Sequence, residues 1–139
     1  MSRIIKTETV GKQRLQLSKA VILALRELAK QTETGAEARD LAAFIAEALR
    51  LISEGIDESV SAWEKRGYWI KADRFRMDWS WTGETSKKIK AALLQDDWQK
   101  IAENSAIIAQ KLPKIKISTR HRLGRPWVGA FDLIRSRKD

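Results

Sequence analysis

Lys114, Lys116, Arg120, Arg122 and Arg125 gather near the C-terminus of a 139-residue chain whose residues 114–139 hold eight Lys/Arg against two acids. Grouped cations raise a local field that dispersed ones do not, so the chemistry such a cluster suits is neutralisation of phosphate or another anion. Residues 1–19 add five Lys/Arg against one acid. The two ends therefore hold +4 and +6, the stretch 20–113 holds −1, and the chain totals +9. A near-neutral body with basic ends points to an anionic partner, nucleic acid or another polyanion, contacted through phosphates with little sequence readout.

Aromatic rings are the second resource. Six tryptophans stand at 63, 69, 79, 81, 98 and 127. Four fall between 63 and 81, among Arg66, Lys71, Arg74 and Arg76, the mixture of flat faces and cations that binds single-stranded nucleic acid by stacking and neutralisation. Arg74, Arg76 and Trp81 join the arm cations as candidate nucleic-acid-binding residues, with Trp81, beside a Thr-Gly pair, the ring expected to be most exposed. Core or dimer contact is the stronger reading for the others. Trp63 and Trp98 occupy the apolar phases of their helices, and large exposed aromatic patches are uncommon on monomers. Gly124, Arg125 and Pro126 resemble the centre of an AT-hook, which implies an arginine entering the narrow A·T minor groove. Leu123 stands where that motif carries an arginine. Trp127, Val128, Phe131, Leu133 and Ile134 form an apolar set expected to dock the arm on the bundle or on a second subunit.

Catalytic chemistry finds less to work with. His121 is the single histidine, and between Arg120 and Arg122 its charged form is disfavoured. No nucleophile elbow accompanies it. Glu54 and Asp57 are one helical turn apart, with Glu58 beside them, as carboxylates that hold Mg²⁺ can be. The only other close pair, Asp96 and Asp97, is adjacent in sequence and so diverges by about 100° on a helix. Gly83 to Lys87 lacks the upstream glycine of a phosphate loop, although a helix starting there would bring Lys87 and Lys88 to its positive end. With no cysteine there is no disulfide, thiolate metal site or thiol nucleophile. These residues imply no catalytic set, no metal and no cofactor, and they favour a non-catalytic chain.

The elements that carry these groups read as helices. Only two prolines and seven glycines interrupt the sequence. Leu15, Val21 or Ile22, Leu25, Leu28 and Ala29 recur at helical spacing over 12–31. Thr34 to Glu37 reads as a capping box for a second helix, whose stripe runs Leu41, Ile45, Ala48, Ile52, Ile56 or Ser59, and Trp63. Its register passes through Gly55, a weak point inside one long helix, and ends at Lys65-Arg66-Gly67. Tyr68, Ala72, Phe75 and Trp79 predict a shorter helix, though Phe75, Met77, Trp79 and Trp81 also alternate as in a strand. Thr82-Gly83 reads as a turn. Thr85 or Ser86 then caps a last long helix with Leu94, Trp98, Ile101, Ser105, Ile108 and Leu112 on one face, closed by Pro113. Lys114 to Thr119 alternates like a short strand, and Arg3 to Val10 has a composition that could pair with it.

The expected fold is an all-α antiparallel up-and-down bundle, three long helices and one shorter, in a single domain. Residues 1–11 form an N-terminal arm, 12–112 the bundle and 113–139 a basic C-terminal arm. The expected function is a non-catalytic binding protein that contacts nucleic acid through those arms. The alternative is a bundle that takes a small apolar ligand or a partner helix at a Trp-lined interior or interface, and Mg²⁺-dependent hydrolysis is a third. A homodimer is expected because the long stripes offer more apolar face than three helices bury. The start lacks a signal-peptide pattern and no apolar run approaches the roughly 20 residues of a spanning helix, so a cytoplasmic chain with no membrane partner is expected.

Overall fold

A computed structural model of the chain describes residues 7–112, 115–117 and 123–137. Among these residues five helices pack on one another: α1 (Thr7–Ala29), α2 (Ala36–Lys65), α3 (Trp69–Leu94), α4 (Trp98–Lys111) and α5 (Ala130–Ser136). No described residue is in a strand. The all-helical class read from composition is therefore seen, while several boundaries differ for identifiable reasons.

Helix α2 is the centre, touched by α1, α3 and α5. Its stripe, Leu41, Ile45, Ala48, Leu49, Ile52 and Ile56, is buried within one chain. On α2, then, the surplus apolar face that argues for a homodimer is already covered. Gly55 is continuous helix because α1 crosses it closely: a Cβ there would lie 3.2 Å from Val10 Cγ1. Val10 belongs to α1, which begins at Thr7 rather than near Lys12. Thr7 to Val10 is thus helical, so that half of the proposed N-terminal strand is not available for pairing.

The capping box at Thr34 does not form. The N-cap is Gly35, without a side-chain cap, and Glu37 turns away to Arg125. At the other end the reading holds. Gly67 adopts φ +79°, Tyr68 N–H donates to Trp63 O at 2.9 Å and Gly67 N–H to Glu64 O at 3.0 Å. This pair of bonds satisfies the last carbonyls of the helix and turns the chain sharply into α3.

The largest departure is α3, one 26-residue helix running straight through Thr82-Gly83. Small residues here serve close packing rather than a turn. A Cβ on Gly83 would stand 2.8 Å from Ser53 Oγ of α2, Ser86 Oγ donates to Ala46 O at 2.6 Å, and the Thr82 hydroxyl is absorbed by Trp79 O at 2.7 Å. The contacts Ala46 with Ser86, Ser53 with Gly83 and Trp63 with Phe75 run in opposite directions along the two helices, so α2 and α3 are antiparallel. The chain breaks instead at Gln95–Asp97, where Asp96 takes φ +57°. Asp96 N–H donates to Leu93 O and Asp97 N–H to Ala92 O. Asp97 then caps α4 by accepting from Lys100 N–H at 3.2 Å. An aspartate can hold this left-handed position, usually glycine's, because its short polar side chain tolerates it.

Beyond α4 the described residues of the C-terminal segment are docked. Ile115 and Ile117 pack against the core with Lys116 exposed between them, the alternation of an extended segment but without strand pairing. Trp127 (3% exposed) and Ile134 are buried, with α5 lying on α2. Val128 and Leu133, from the same apolar set, face solvent.

Candidate anion-binding segment and aromatic surfaces

The arm cations divide into two groups. Lys114, Arg120 and Arg122, with His121, lie outside the described residues; Lys116 is exposed. Arg125 is ion-paired with Glu37 and its guanidinium sits 5.8 Å from the Trp127 ring centroid. Gly124 has φ +65°, so the Gly-Arg-Pro triplet bends instead of running extended as an AT-hook does. Further along, Arg137 pairs with Glu47 and Arg135 with Asp132 at 2.9 Å.

Docking is completed by a residue that sequence reading did not single out. Asp40 of α2 accepts Gly129 N–H through Oδ2 at 3.1 Å and Phe131 N–H through Oδ1 at 3.0 Å. One carboxylate thus occupies the positive end of α5, where free amides and the helix dipole favour it. Its position within α2 carried no local signal, because the partner amides lie about ninety residues away. Glu47 receives hydrogen bonds from both Arg50 and Arg137. Burial works to raise its pKa, but those two guanidinium partners prevail and hold the carboxyl below its ordinary range.

Three of the four tryptophans between 63 and 81, Trp63, Trp79 and Trp81, join Phe75 in a ring-to-ring seam. Trp63 meets Phe75 edge-on at 4.8 Å, Phe75 meets Trp79 at 6.4 Å, and Trp79 stacks on Trp81 at 6.4 Å and 21°. Arg14 of α1 lies 4.9 Å over Phe75 and 5.4 Å over Trp79, and burial lowers its pKa. Trp81 is therefore half-buried in this seam rather than the most exposed ring. Arg76 is committed to Glu64 at 3.0 Å and Asp73 at 2.7 Å, and the Glu64 hydrogen bond leads the causes that raise its pKa. Arg74 is exposed.

The tryptophan that does face solvent is Trp69, 60% exposed at the α2–α3 turn, where the Tyr68 ring and Ile70 are exposed beside it. A signal for this existed in the sequence. The face drawn through Tyr68, Ala72, Phe75 and Trp79 leaves Ile70 and Met77, seven residues apart, together on another face.

Two clefts of about 360 Å³ flank the bundle. One, between the end of α1 and the start of α4, is lined by Leu25, Leu28, Ala38, Trp98, Ile101 and Ser105. The other lies between α2, α3 and the end of α5, with Arg50, Lys87, Lys90 and Arg137 around Glu47 and Glu54. Lys87 and Lys88 are in mid-helix, so no helix start lies there to hold a phosphate. The carboxylates also stay apart. Glu54 pairs with Arg50, Asp96 accepts from Trp98 Nε1 at 2.7 Å, and no group of three His, Asp or Glu able to hold a metal occurs among the described residues. Comparison with family models, with curated proteins and with solved structures finds no match.

Proposed function

We propose that this chain is a non-catalytic helical protein that binds nucleic acid or a related polyanion through the basic segment between α4 and α5. The supporting observation is that this segment is anchored at both ends. Leu112 is buried on one side and Trp127 on the other, and the twelve residues 113–124 between them carry Lys114, Lys116, Arg120 and Arg122 with no acid. Anchoring limits the conformational entropy that four cations lose on lining up against phosphates. The arginines that follow, Arg125 and Arg137, are neutralised by Glu37 and Glu47 and act in docking. Arg74 is an accessory cation in this reading, and Trp81 and Arg76 are structural.

The test is binding of labelled single-stranded and duplex DNA and RNA by the full chain and by a variant with alanine at 114, 116, 120 and 122. Shortening the chain at Pro113 is a poorer test, since it removes Trp127 and Ile134 and uncovers the core. Each phosphate contact contributes a slope of about −0.9 in log affinity against log salt on duplex DNA. The four-site variant is expected to lose a slope of about 3 to 4 together with most of the affinity. A full chain that does not bind at low salt ends this reading.

The small-ligand alternative draws on the Trp98 cleft, whose walls are mainly apolar with a polar rim at Gln31, Thr32 and Thr34. An environment-sensitive apolar dye should bind there and be excluded by Ala102→Phe. Binding unaffected by that substitution places the dye elsewhere.

A further inference from the structure

Four of the large apolar side chains that face solvent sit at the α2–α3 apex. Tyr68, Trp69 and Ile70 follow one another into α3, with Ile70 76% exposed, and Met77, about two turns along, is 77% exposed. Ile70, Arg74 and Met77 are spaced four and three residues apart and so share one face of the helix. The turn is open to solvent at Gly67: apart from its two chain neighbours, no residue comes within 4 Å of where a Cβ would be.

Cations surround these side chains. Lys65, Arg66 and Arg74 are exposed and make no ion pair among the described residues, and Lys71 lies 4.5 Å over the Trp63 ring. Two of the three neighbouring acids, Glu64 and Asp73, are engaged by Arg76; Asp78 is the third.

We infer that this apex docks on the surface of an anionic lipid bilayer. Tyrosine and tryptophan suit the headgroup level, where one edge of the ring is wet and the rest apolar. Ile70 and Met77 reach the acyl boundary, and the surrounding cations meet anionic headgroups. A second copy of the apex would set the same cations against each other. Nucleic acid would use exposed π faces, but beside Tyr68 and Trp69 the two most exposed side chains, Ile70 and Met77, have none to offer, and Phe75, Trp79 and Trp81 are occupied with one another. No helix among the described residues is long and apolar enough to cross a membrane. Surface docking needs none, and it departs from the expectation of no membrane partner, which rests on the absence of a signal-peptide pattern and of a spanning run. It is independent of the basic segment at 113–124.

The experiment is flotation of the full chain with vesicles of phosphatidylcholine alone or mixed with an equal part of phosphatidylserine, read together with tryptophan emission. The chain should float with the mixed vesicles and not with phosphatidylcholine, with a blue shift that Trp69→Phe largely removes. Ile70→Ser with Met77→Ser should weaken vesicle binding by about tenfold or more, since apolar insertion is a large share of interfacial affinity, while circular dichroism and nucleic-acid binding stay unchanged. The variant with alanine at 114, 116, 120 and 122 should retain apex-dependent flotation. Absence of flotation overturns the proposal, as does flotation that survives the serine pair but is lost in the four-alanine variant. A serine pair that lowers the sedimentation mass assigns the apex to a second copy, and one that abolishes nucleic-acid binding assigns it to bases; either result also overturns the proposal.

Discussion

The C-terminal segment 123–137 and the α2–α3 apex 64–78 have similar ingredients, one tryptophan and several cations each, and they use them in opposite ways. In the C-terminal segment Trp127 is buried, Arg125 and Arg137 are paired with acids of α2, and Asp40 satisfies the start of α5. At the apex Trp69 faces solvent, and Lys65, Arg66 and Arg74 have no acid partner among the described residues. Charge density in sequence therefore does not rank the cations by availability. What decides it is whether acids on a neighbouring helix come to meet them, and α2 supplies Glu37 and Glu47 to Arg125 and Arg137, with Asp40 on the same side holding the amides of α5.

If the C-terminal segment is held by burial, the largest effect in the molecule outside the central core belongs to Trp127. Trp127→Ala should cost about 3 to 5 kcal/mol, the usual range for emptying a buried aromatic site, and should release amide exchange protection across 123–137. Trp127→Phe sharpens the point. The buried indole Nε1 has no hydrogen-bond partner among the described residues, so phenylalanine removes an unsatisfied donor along with some volume. It should cost well under half as much as alanine in chemical denaturation. Equal losses for the two variants would mean that shape alone seats this residue.

Asp40→Ala comes next. It removes an acceptor shared by Gly129 and Phe131 N–H groups, and loss of a helix N-cap typically costs about 0.5 to 2 kcal/mol. Limited trypsin digestion should then cut at Arg135 and Arg137 well before any site in α2. Unchanged digestion would show that Trp127 and Ile134 suffice to hold α5.

How much of this was legible differs between the two regions for a physical reason. Helix α2 announced itself, since apolar residues at three- and four-residue spacing on either side of Gly55 record a face buried from Leu41 to Ile56, whereas the α1 stripe is buried at Val21 and Ile22 and exposed at Leu15. The Lys65-Arg66-Gly67 ending was readable because its bonds are local. Helix α3 was misdivided at Thr82-Gly83 because glycine marks both turns and close approaches, and only Ser53, thirty residues away, tells which applies. The true break at Asp96 lacks the glycine that usually marks a left-handed position. The arm's apolar set was legible as something that docks, yet its acid partners lie on α2, and nothing near Glu37, Asp40 or Glu47 in sequence announces them. The basic residues at 114–122 stood out in the sequence, as did the tryptophans, but which rings pack on one another depends on the α2–α3 register.

Acid should distinguish the regions without mutation. Glu47 has its carboxyl held below the ordinary range when folded, so it contributes stability that is fully present above its unfolded value of about 4.3 and is lost as pH falls through the lower folded value. The pair with Arg137 is partly exposed, which limits that contribution to about 1 kcal/mol. Urea midpoints should decline below roughly pH 4, and Glu47→Gln should flatten that part of the decline. An identical acid limb in the variant would assign it to other carboxylates.

The smallest expected effect is the one that most directly separates the two surfaces. Ile70→Ser and Met77→Ser alter side chains more than three-quarters exposed, and surface substitutions away from buried features usually stay within about 0.5 kcal/mol. Their midpoints in urea should match the parent chain, while Trp127→Ala, changing a residue of similar chemistry to Trp69, should not. If the apex pair instead costs as much as a core substitution, Ile70 and Met77 are covered in solution, and the contrast between a used and an unused aromatic surface disappears. A neutral outcome in stability leaves these two side chains contributing nothing to the fold of a chain that otherwise buries its long apolar stripes, and that is the condition under which an exposed apolar apex calls for a partner.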